Sequence, residues 1–244
     1  MLITGAGRGI GAAVARAAAA QGFAVCVNYR QSEQQAWELV RAIQGQSGTA
    51  IAVAADVSSE GAVGELFDAV DRRLGPLTAL VNNAGVLERQ SRLDSIDGGR
   101  VGRVFGTNVF GCIFCCRQAV LRMSSRHGGA GGTIVNVSSA ASRLGSPGEY
   151  VDYAASKGAV DSLTTGLARE VAGEGIRVNA VRPGFIYTEM HAGGGEPGRV
   201  DRIKSSLPMG RGGQPEEVAE AILWLSSPAA SYVTGSFMEL AGGR

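Results

Sequence analysis

The chain has 244 residues, 45% of them hydrophobic and 18% charged, with a formal net charge of +1 at pH 7. This near-neutral balance gives no electrostatic reason to expect binding to nucleic acid or to an anionic membrane. No apolar run reaches the roughly 18 residues of a membrane span, and the N-terminus has no signal-peptide pattern. These features predict a cytoplasmic protein, and the length suits one large α/β domain over residues 1–244.

Short apolar segments alternate with longer segments of helical periodicity along the whole chain. The predicted strands are Met1–Thr4, Phe23–Asn28, Ala50–Ala54, Thr78–Val81, Thr133–Val137, Arg177–Val181 and Phe237–Leu240. The predicted helices are Gly9–Gln21, Ser32–Gln46, Ser58–Leu74, Asp97–Arg126, Glu149–Gly173 and Pro215–Ser226. Uninterrupted apolar strands indicate a sheet covered on both faces, so the pattern predicts a doubly wound parallel sheet of seven strands.

A glycine-rich turn joins the first strand to the first helix. Glycines allow a tight turn, and a helix N-terminus offers free amides and a positive dipole to a phosphate. In this strand–turn–helix context we expect a dinucleotide-binding site rather than a simple turn. The residues of the turn expected to bind are Thr4, Gly5, Gly7, Arg8, Gly9, Ile10 and Gly11.

A second glycine-rich stretch, His191–Gly213, is too long for a simple connection between a strand and a helix. It follows a strand end in the predicted ligand crevice, which favours a mobile substrate-binding lid, here taken as residues 187–214, over a passive insertion.

Three of the four cysteines, Cys112, Cys115 and Cys116, lie on one predicted helix, and Cys26 lies in a strand. No second cysteine pair or histidine cluster accompanies them, so we expect buried thiols that behave as small apolar residues. No metal site is predicted.

Tyr153 and Lys157 are four residues apart in a predicted helix, so their side chains share one face. A free tyrosine ionises near pH ~10, which matches neutral-pH acid–base chemistry poorly. A lysine ammonium one turn away favours the phenolate and would make the phenol a better acid. The spacing alone also arises by chance on many helices, so the remaining motifs decide its meaning.

Several ordered motifs together resemble those of the short-chain dehydrogenase/reductase family over essentially the whole chain. They are Thr4–Gly11, Asp56-Val57, Asn82–Gly85, Asn108, Ser138-Ser139, Tyr153–Lys157 and Pro183–Thr188. The later part of the chain looks especially like bacterial members described only as oxidoreductases, or likened to glucose dehydrogenases and 3-oxoacyl carrier-protein reductases. The resemblance implies a Rossmann-type fold and an NAD(P)-dependent oxidoreductase.

The family pattern implies four catalytic residues. Tyr153 would protonate a carbonyl oxygen while the nicotinamide delivers hydride to its carbon, and the same phenolate would act as base in oxidation. Lys157 would favour the phenolate and hydrogen-bond the nicotinamide ribose, and Ser139 would hydrogen-bond the substrate oxygen. Asn108 would hold a water that links Lys157 to solvent, the alternative being an interior amide at a helix kink.

The chain departs from the family by one extra residue between Ser139 and Tyr153. The loop Ser142–Glu149 contains glycine and proline and is easily extended, so it would absorb the insertion. Ser138 would point to the opposite face if the strand continues, which leaves Ser139 as the predicted residue.

Cofactor preference follows from the end of the second strand. An NAD-type site usually has an acidic residue there, whereas a 2′-phosphate is held by cations. The sequence reads Asn28-Tyr29-Arg30, and Arg8 lies in the glycine-rich turn. We therefore predict NADP(H), with NAD(H) possible, unless both arginines are merely exposed surface residues.

The resemblance assigns the remaining cofactor contacts to three places along the chain. They are Asp56 and Val57 near the adenine, Asn83, Ala84 and Gly85 after the fourth strand, and Pro183, Gly184, Ile186 and Thr188 near the nicotinamide. It also implies a homotetramer or homodimer, with Gly106, Val109, Gly158 and Leu163 as candidate interface residues and Ser231–Arg244 as a second contact.

The sequence thus predicts an NADP(H)-dependent oxidoreductase that interconverts a carbonyl and a secondary alcohol on a small or medium substrate. One alternative is an NADP(H)-binding regulator or scaffold with little catalysis. Another is an epimerase or dehydratase, although the chain has little room for the added substrate domain of those relatives.

Overall fold

A fully parallel sheet of seven strands forms the centre of the computed structural model, which describes residues 1–244. In chain order, β1 to β7 are Leu2–Ile3, Val25–Tyr29, Ala50–Ala54, Ala79–Asn82, Gly132–Val137, Ile176–Pro183 and Phe237–Leu240. Their spatial order is β3-β2-β1-β4-β5-β6-β7. The winding direction reverses between β1 and β4, which places the ligand crevice at the carboxyl ends of these strands.

Ten α-helices accompany the sheet. In chain order, α1 to α10 are Gly9–Ala20, Glu33–Gly45, Glu60–Leu74, Gly98–Phe105, Gly111–Met123, Ala141–Leu144, Val151–Val171, Met190–Gly193, Arg199–Ile203 and Pro215–Ser226. The predicted doubly wound sheet is confirmed, and most bounds lie within about two residues of the predicted ones. The short helices α6, α8 and α9 were not predicted, because segments of four or five residues carry too little periodicity.

Two separate apolar layers cover the sheet. On one face α1, α2 and α10 pack residues such as Val14, Leu39 and Ile222 against the strands. On the other face α3, α5 and α7 do the same with residues such as Phe67 and Ala119. Both faces are therefore buried, as the uninterrupted apolar strands indicate.

The first strand, β1, is only two residues long but lies at the centre of the sheet. Leu2 and Ile3 pair with β2 on one side and with β4 on the other, and both are fully buried. Pairing on both sides explains how so short a strand holds the glycine-rich turn in place.

The predicted long helix Asp97–Arg126 is interrupted. A π-helical segment, Gly106–Phe110, separates α4 from α5. π-Bulges of this kind occur frequently at functional sites. The combined segment Gly98–Met123 is long and apolar enough to span a membrane, but core helices pass the same test, and 44% of its most apolar stretch is buried here.

All four cysteines are free and buried, as predicted. The predicted interface residues differ from those that the structure exposes. Val109 is buried within the protomer, and Gly106, Gly158 and Leu163 are half-buried. The exposed apolar side chains of this region are instead Phe110, Ile113 and Leu121 of the π segment and α5. The extra residue in the π turn shifts the helix phase, which the sequence pattern does not reveal.

Candidate active site

The turn between β1 and α1 requires glycine. Gly5 and Gly9 have φ angles of +60° and +54°, in the left-handed region that other residues avoid. A Cβ on Gly11 would lie 2.5 Å from Asn83 Nδ2, and one on Gly5 would lie 2.9 Å from Ala84 Cα. The absence of side chains therefore lets the backbone of the turn pack closely against Asn83 and Ala84, and it would also let a ligand approach the backbone closely.

The first turn of α1 fits a phosphate. Its N-cap residue, Arg8, makes no capping hydrogen bond, and no acidic residue lies in that turn. Arg8 itself is exposed. Free amides, the positive end of the helix dipole and a nearby guanidinium group together attract an anion such as a pyrophosphate.

A groove of about 390 Å³ runs from this turn along the carboxyl ends of the first four strands, within the size range of small-molecule sites. Most of the predicted cofactor residues line it. They are Gly5, Arg8, Gly9, Ile10, Asn28, Tyr29, Arg30, Asp56, Val57, Asn83, Ala84, Gly85 and Thr188.

Other predicted contacts lie behind this surface and support it. The hydroxyl of Thr4 is buried and accepts hydrogen bonds from the amides of Asn83 and Ala84, at 3.0 and 2.9 Å. Thr4 is therefore a brace between β1 and β4, and the expectation of a ligand contact is corrected. A Cβ on Gly7 would lie 2.3 Å from Ser32 Oγ, so Gly7 serves backbone packing.

Pro183, Gly184 and Ile186, which are predicted to lie near the nicotinamide, are also outside the groove wall. Pro183 ends β6, and Gly184 packs closely against Ala241. The carbonyl of Ile186 accepts a hydrogen bond from His191 Nε2 at 3.0 Å. A ligand at Ile186 would therefore meet its amide rather than this carbonyl.

The side chains of Asn28 and Asn83 form hydrogen bonds within the groove wall. Asn28 Oδ1 accepts from the amide of Gly5 at 3.2 Å, and its Nδ2 donates to the carbonyl of Ala55 at 3.1 Å. Asn83 Nδ2 donates to the carbonyls of Thr4 and Gly5. Both amides thus hold the glycine-rich turn against its neighbouring strands.

The residues predicted to select the cofactor differ in whether their side chains already have a partner within the protein. Arg30 Nη1 lies 3.4 Å from Asp56 Oδ2, so this guanidinium is already paired with a groove carboxylate. Burial favours a higher pKa for Asp56, but hydrogen bonds from Ser58 and the charge of Arg30 bring that pKa below its usual value. Tyr29 donates its hydroxyl to Glu33 at 3.3 Å. The cation with no carboxylate partner is Arg8.

Tyr153 and Lys157 lie on α7, and Ser139 lies just after β5. The Lys157 ammonium is 5.6 Å from the centroid of the Tyr153 ring and donates to the carbonyl of Val137 at 2.8 Å. A Cβ on Gly85 of the groove would lie 3.6 Å from Lys157 Nζ, so the ammonium sits directly behind the groove wall.

Burial sets the acidity of this pair. It raises the pKa of Tyr153 to about 12, and the nearby Ser139 hydroxyl offsets part of that rise. Burial also lowers the pKa of Lys157 to about 8, against the opposing influence of Cys112 and Asp161. The expected lowering of the phenol pKa by Lys157 is not present in this structure: burial dominates, and only Ser139 acts against it.

Ser138 and Ser139 point in different directions, as predicted. Ser138 is buried and donates its hydroxyl to Asp161 Oδ1 at 2.6 Å. Ser139 Oγ accepts from the amide of Ala141 at 3.1 Å and lies near Tyr153. The loop that follows contains a turn in which Ser146 has a φ of +45°.

Asn108 lies within the π segment with its amide largely occupied. Its Oδ1 accepts from the amide of Val86 at 2.8 Å, and its Nδ2 donates to Ser156 Oγ at 3.0 Å. The π segment interrupts the helix at Asn108. Its side chain braces α7 and the segment after β4 next to Lys157.

The segment 187–214 contains α8 and α9, so it is more ordered than the long loop that its sequence predicts. Its Gly194 carbonyl accepts from the Tyr150 hydroxyl at 3.2 Å. Arg199, which is buried, pairs with Glu149 and lies 4.9 Å above the ring of Tyr150. The segment is thus closed over the start of α7.

Several groove residues were not among the predicted cofactor contacts: Gln31, Ser32, Gln35, Ala55, Val86, Leu87, Thr107, and, within the segment predicted as the lid, Glu189, Met190 and Gly193. Most of them lie next to a predicted motif in the sequence, and this proximity is the signal that could have identified them. The ion pair between Arg100 and Asp152 was also missed, because nothing in the sequence links these two distant residues.

Comparison with known proteins covers the whole chain. A family model described as enoyl-(acyl carrier protein) reductase matches residues 5–244. The chain is 60% identical over 243 residues to YgfF, an uncharacterized oxidoreductase of Escherichia coli, with 100% of this chain and 98% of that protein covered.

Two solved structures have the same fold. One is a short-chain dehydrogenase from Burkholderia cenocepacia in complex with NADP, with a TM-score of 0.90, 33% identity and coverage of 99% of this chain and 96% of that one. The other is a 3-ketoacyl-(acyl-carrier-protein) reductase from Brucella melitensis complexed with NADH, with a TM-score of 0.89, 33% identity and coverage of 100% and 96%.

Proposed function

This chain belongs to the short-chain dehydrogenase/reductase family and is an enzyme of that class, and on this premise we propose that it interconverts a carbonyl and a secondary alcohol on a small or medium substrate with NADP(H). The observation that carries the proposal is the convergence of Tyr153, Ser139 and Lys157 behind a groove whose turn fits a pyrophosphate.

The groove residues match the parts of a nicotinamide dinucleotide, the type of cofactor bound in the two related structures. Gly5, Gly9 and the first turn of α1 would hold the pyrophosphate, and Asp56 and Val57 would border the adenine. Thr188 and the amide of Ile186 would meet the nicotinamide. When bound, the nicotinamide supplies or accepts the hydride.

The protein's own groups handle the proton. Burial raises the pKa of Tyr153 to about 12, so the phenol keeps its proton at neutral pH, and donation to a carbonyl oxygen would need other groups to stabilise the phenolate. Ser139 would donate a hydrogen bond to the same oxygen and hold it near the phenol. Lys157 places a positive charge against the Tyr153 ring and would stabilise the phenolate left after proton transfer.

NADP(H) is favoured over NAD(H) because the groove offers cations at the ribose end. Arg8 and Arg30 both line the groove; Arg8 has no carboxylate partner, and Arg30 forms an ion pair with the partly exposed Asp56. An exposed pair of this kind is weak and is readily exchanged for a phosphate.

Two further parts of the proposal concern the surroundings of the site. Residues 187–214 would form the substrate-binding lid, supported by their closure over Tyr150 and the start of α7. The exposed stripe of Phe110, Ile113 and Leu121 would form part of a homotetramer interface. We also propose a cytoplasmic location, as the composition and the N-terminal sequence predict.

The test of the proposed reaction is an NADPH-oxidation screen over sugars, acetoacetyl thioesters, diketones and steroids, followed by Tyr153→Phe on any substrate found. The variant should lose turnover by about a hundredfold or more while retaining NADPH binding, because only the proton donor is removed. Near-wild-type turnover by Tyr153→Phe would disprove the assigned acid. Tight NADPH binding without oxidation across the panel would favour a binding protein without catalysis.

A further inference from the structure

A buried ion pair lies directly beside Tyr153. Arg100 of α4 contacts Asp152, the residue before Tyr153, through two hydrogen bonds: Nε to Oδ2 at 2.7 Å and Nη2 to Oδ1 at 2.9 Å. The Arg100 and Asp152 side chains are only 10% and 3% exposed. Arg100 Nη1 also donates to the carbonyl of Arg89, in the segment after β4.

Such a pair is a poor source of stability, because removing two charges from water offsets most of their attraction. Its distinctive property is geometric. A bidentate arginine–carboxylate contact fixes both the distance and the relative orientation of the two groups. Arg100 therefore fixes the start of α7 relative to α4 and to the segment after β4.

The start of α7 is held by the contacts of Tyr150 with residues 187–214 and, within its first turn, by the pair of Arg100 with Asp152. Its N-cap residue, Tyr150, makes no side-chain capping bond, and the preceding turn contains Gly148 at a φ of +73°. Asp152 is the acidic residue of this first turn. Burial favours a higher pKa for Asp152, but Arg100 and the backbone amide of Tyr153 lower it, so the carboxylate is ionised at neutral pH and pairs with Arg100 as an anion.

We propose that Arg100 is a positioning residue for Tyr153: by holding Asp152 in bidentate contact, it fixes the first turn of α7 and keeps the phenol aligned with the Ser139 hydroxyl. This inference rests on the proposed function, in which Tyr153 is the proton donor. Small displacements of a reacting group lower a rate strongly, so the pair acts on turnover rather than on cofactor binding.

The variants Arg100→Lys and Arg100→Met test this proposal on a carbonyl that the wild-type protein reduces. Arg100→Lys keeps the charge and loses the bidentate contact, and Arg100→Met loses both. We expect kcat to fall about tenfold or more in Arg100→Met and less in Arg100→Lys, with KM for NADPH changed by about twofold or less. The matched control is Arg103→Met on the same helix, where the exposed pair with Glu88 is removed.

A measurement that needs no substrate tests the positioning role of Arg100 independently of the proposed function. In protein labelled with 3-fluorotyrosine, the ¹⁹F signal of Tyr153 is identified by its loss in Tyr153→Phe. Arg100→Lys should shift or broaden that signal, and Arg103→Lys should leave it unchanged. If the wild-type protein reduces no carbonyl, the proposed function fails while this spectrum still decides the positioning role.

An unchanged Tyr153 signal in Arg100→Lys would overturn the proposal. So would a kcat equal to that of the wild type in either Arg100 variant. If Arg100→Met does not fold, Arg100→Lys decides alone, because a long cation remains opposite Asp152 and supports the fold.

Discussion

Lys157 is buried, and its ammonium has one backbone acceptor, the carbonyl of Val137. Its pKa of about 8 reflects burial, with Cys112 and Asp161 acting in the opposite direction. The ammonium is therefore present below about pH 8 and is lost as the pH rises through that value. Because Lys157 is proposed to support proton transfer from Tyr153, carbonyl reduction should decline on the same alkaline limb.

Asp161→Asn should move this alkaline limb to lower pH, by roughly half a unit to one unit. The substitution removes a negative charge that favours the Lys157 ammonium, so the pKa of Lys157 falls further. The measurement is the pH profile of kcat/KM for carbonyl reduction. Glu239→Gln is the control, since Glu239 is the other acidic partner of Arg182 and does not influence Lys157. A limb that does not move in Asp161→Asn would contradict this role.

Arg8 and Arg16 allow a matched test of cofactor preference, because both are exposed arginines of the same helical region. Only Arg8 lines the groove. Arg8→Ala should lower kcat/KM for NADPH about tenfold and for NADH by about twofold or less, because a charge-assisted contact to the 2′-phosphate is lost. Arg16→Ala should change neither value. Equal losses with the two cofactors would assign Arg8 to the shared pyrophosphate, and better efficiency with NADH than with NADPH in the wild type would reject the NADP(H) preference.

At the scale of elements, residues 187–214, which are proposed as the lid, are held by charge as well as by packing. Glu196, between α8 and α9, accepts from Gln90 at 2.7 Å and pairs with Arg202 and Arg199. Arg202, mainly, lowers the pKa of Glu196 to about 2, so its charge persists at all pH values at which the enzyme would work. This cluster joins the lid to the segment after β4.

Glu196→Gln should loosen the lid. Losing the carboxylate removes its attraction to both arginines, so we expect faster amide hydrogen exchange in residues 190–206, measured by mass spectrometry. Glu170→Gln is the control, because Glu170 is exposed near the end of α7 and lies outside the lid. Exchange in the lid that matches the wild type would show that packing around Tyr150 alone holds it closed.

At the scale of the whole molecule, an apolar stripe remains uncovered. Phe110 is 52% exposed, and Ile113 and Leu121 follow it on α5 at spacings of one helix face. Exposed apolar patches on a protein of this size commonly mark an interface between subunits. A second copy of the chain would bury this stripe.

Phe110→Asp should therefore weaken assembly. We expect light scattering to give four times the 25.0 kDa protomer mass for the wild type at micromolar concentration and a smaller assembly for the variant. Leu93→Asp is the control, because Leu93 is an exposed apolar residue outside the stripe. A monomeric wild type would disprove the homotetramer, and an unchanged mass for Phe110→Asp would place the interface elsewhere.

Most of the fold could be predicted because its signals are local. Ala50–Ala54, Pro215–Ser226 and Phe237–Leu240 were predicted with the bounds that the structure has. Each is a short apolar run or a periodic segment with clear stop signals. The π segment at Gly106–Phe110 was not predicted beyond an interruption at Asn108, because its phase shift depends on packing against α7 rather than on local sequence.

The sequence by itself determined the order of strands and helices, the glycine-rich turn and the pairing of Tyr153 with Lys157, because these depend on spacing along one chain. Only the tertiary structure decided which of these residues face the groove and which brace it, as with Thr4. It also decided that burial governs the acidity of Tyr153, and that Arg100 meets Asp152 from a distant helix. Burial and long-range contacts depend on how separate elements pack, and no local pattern encodes them.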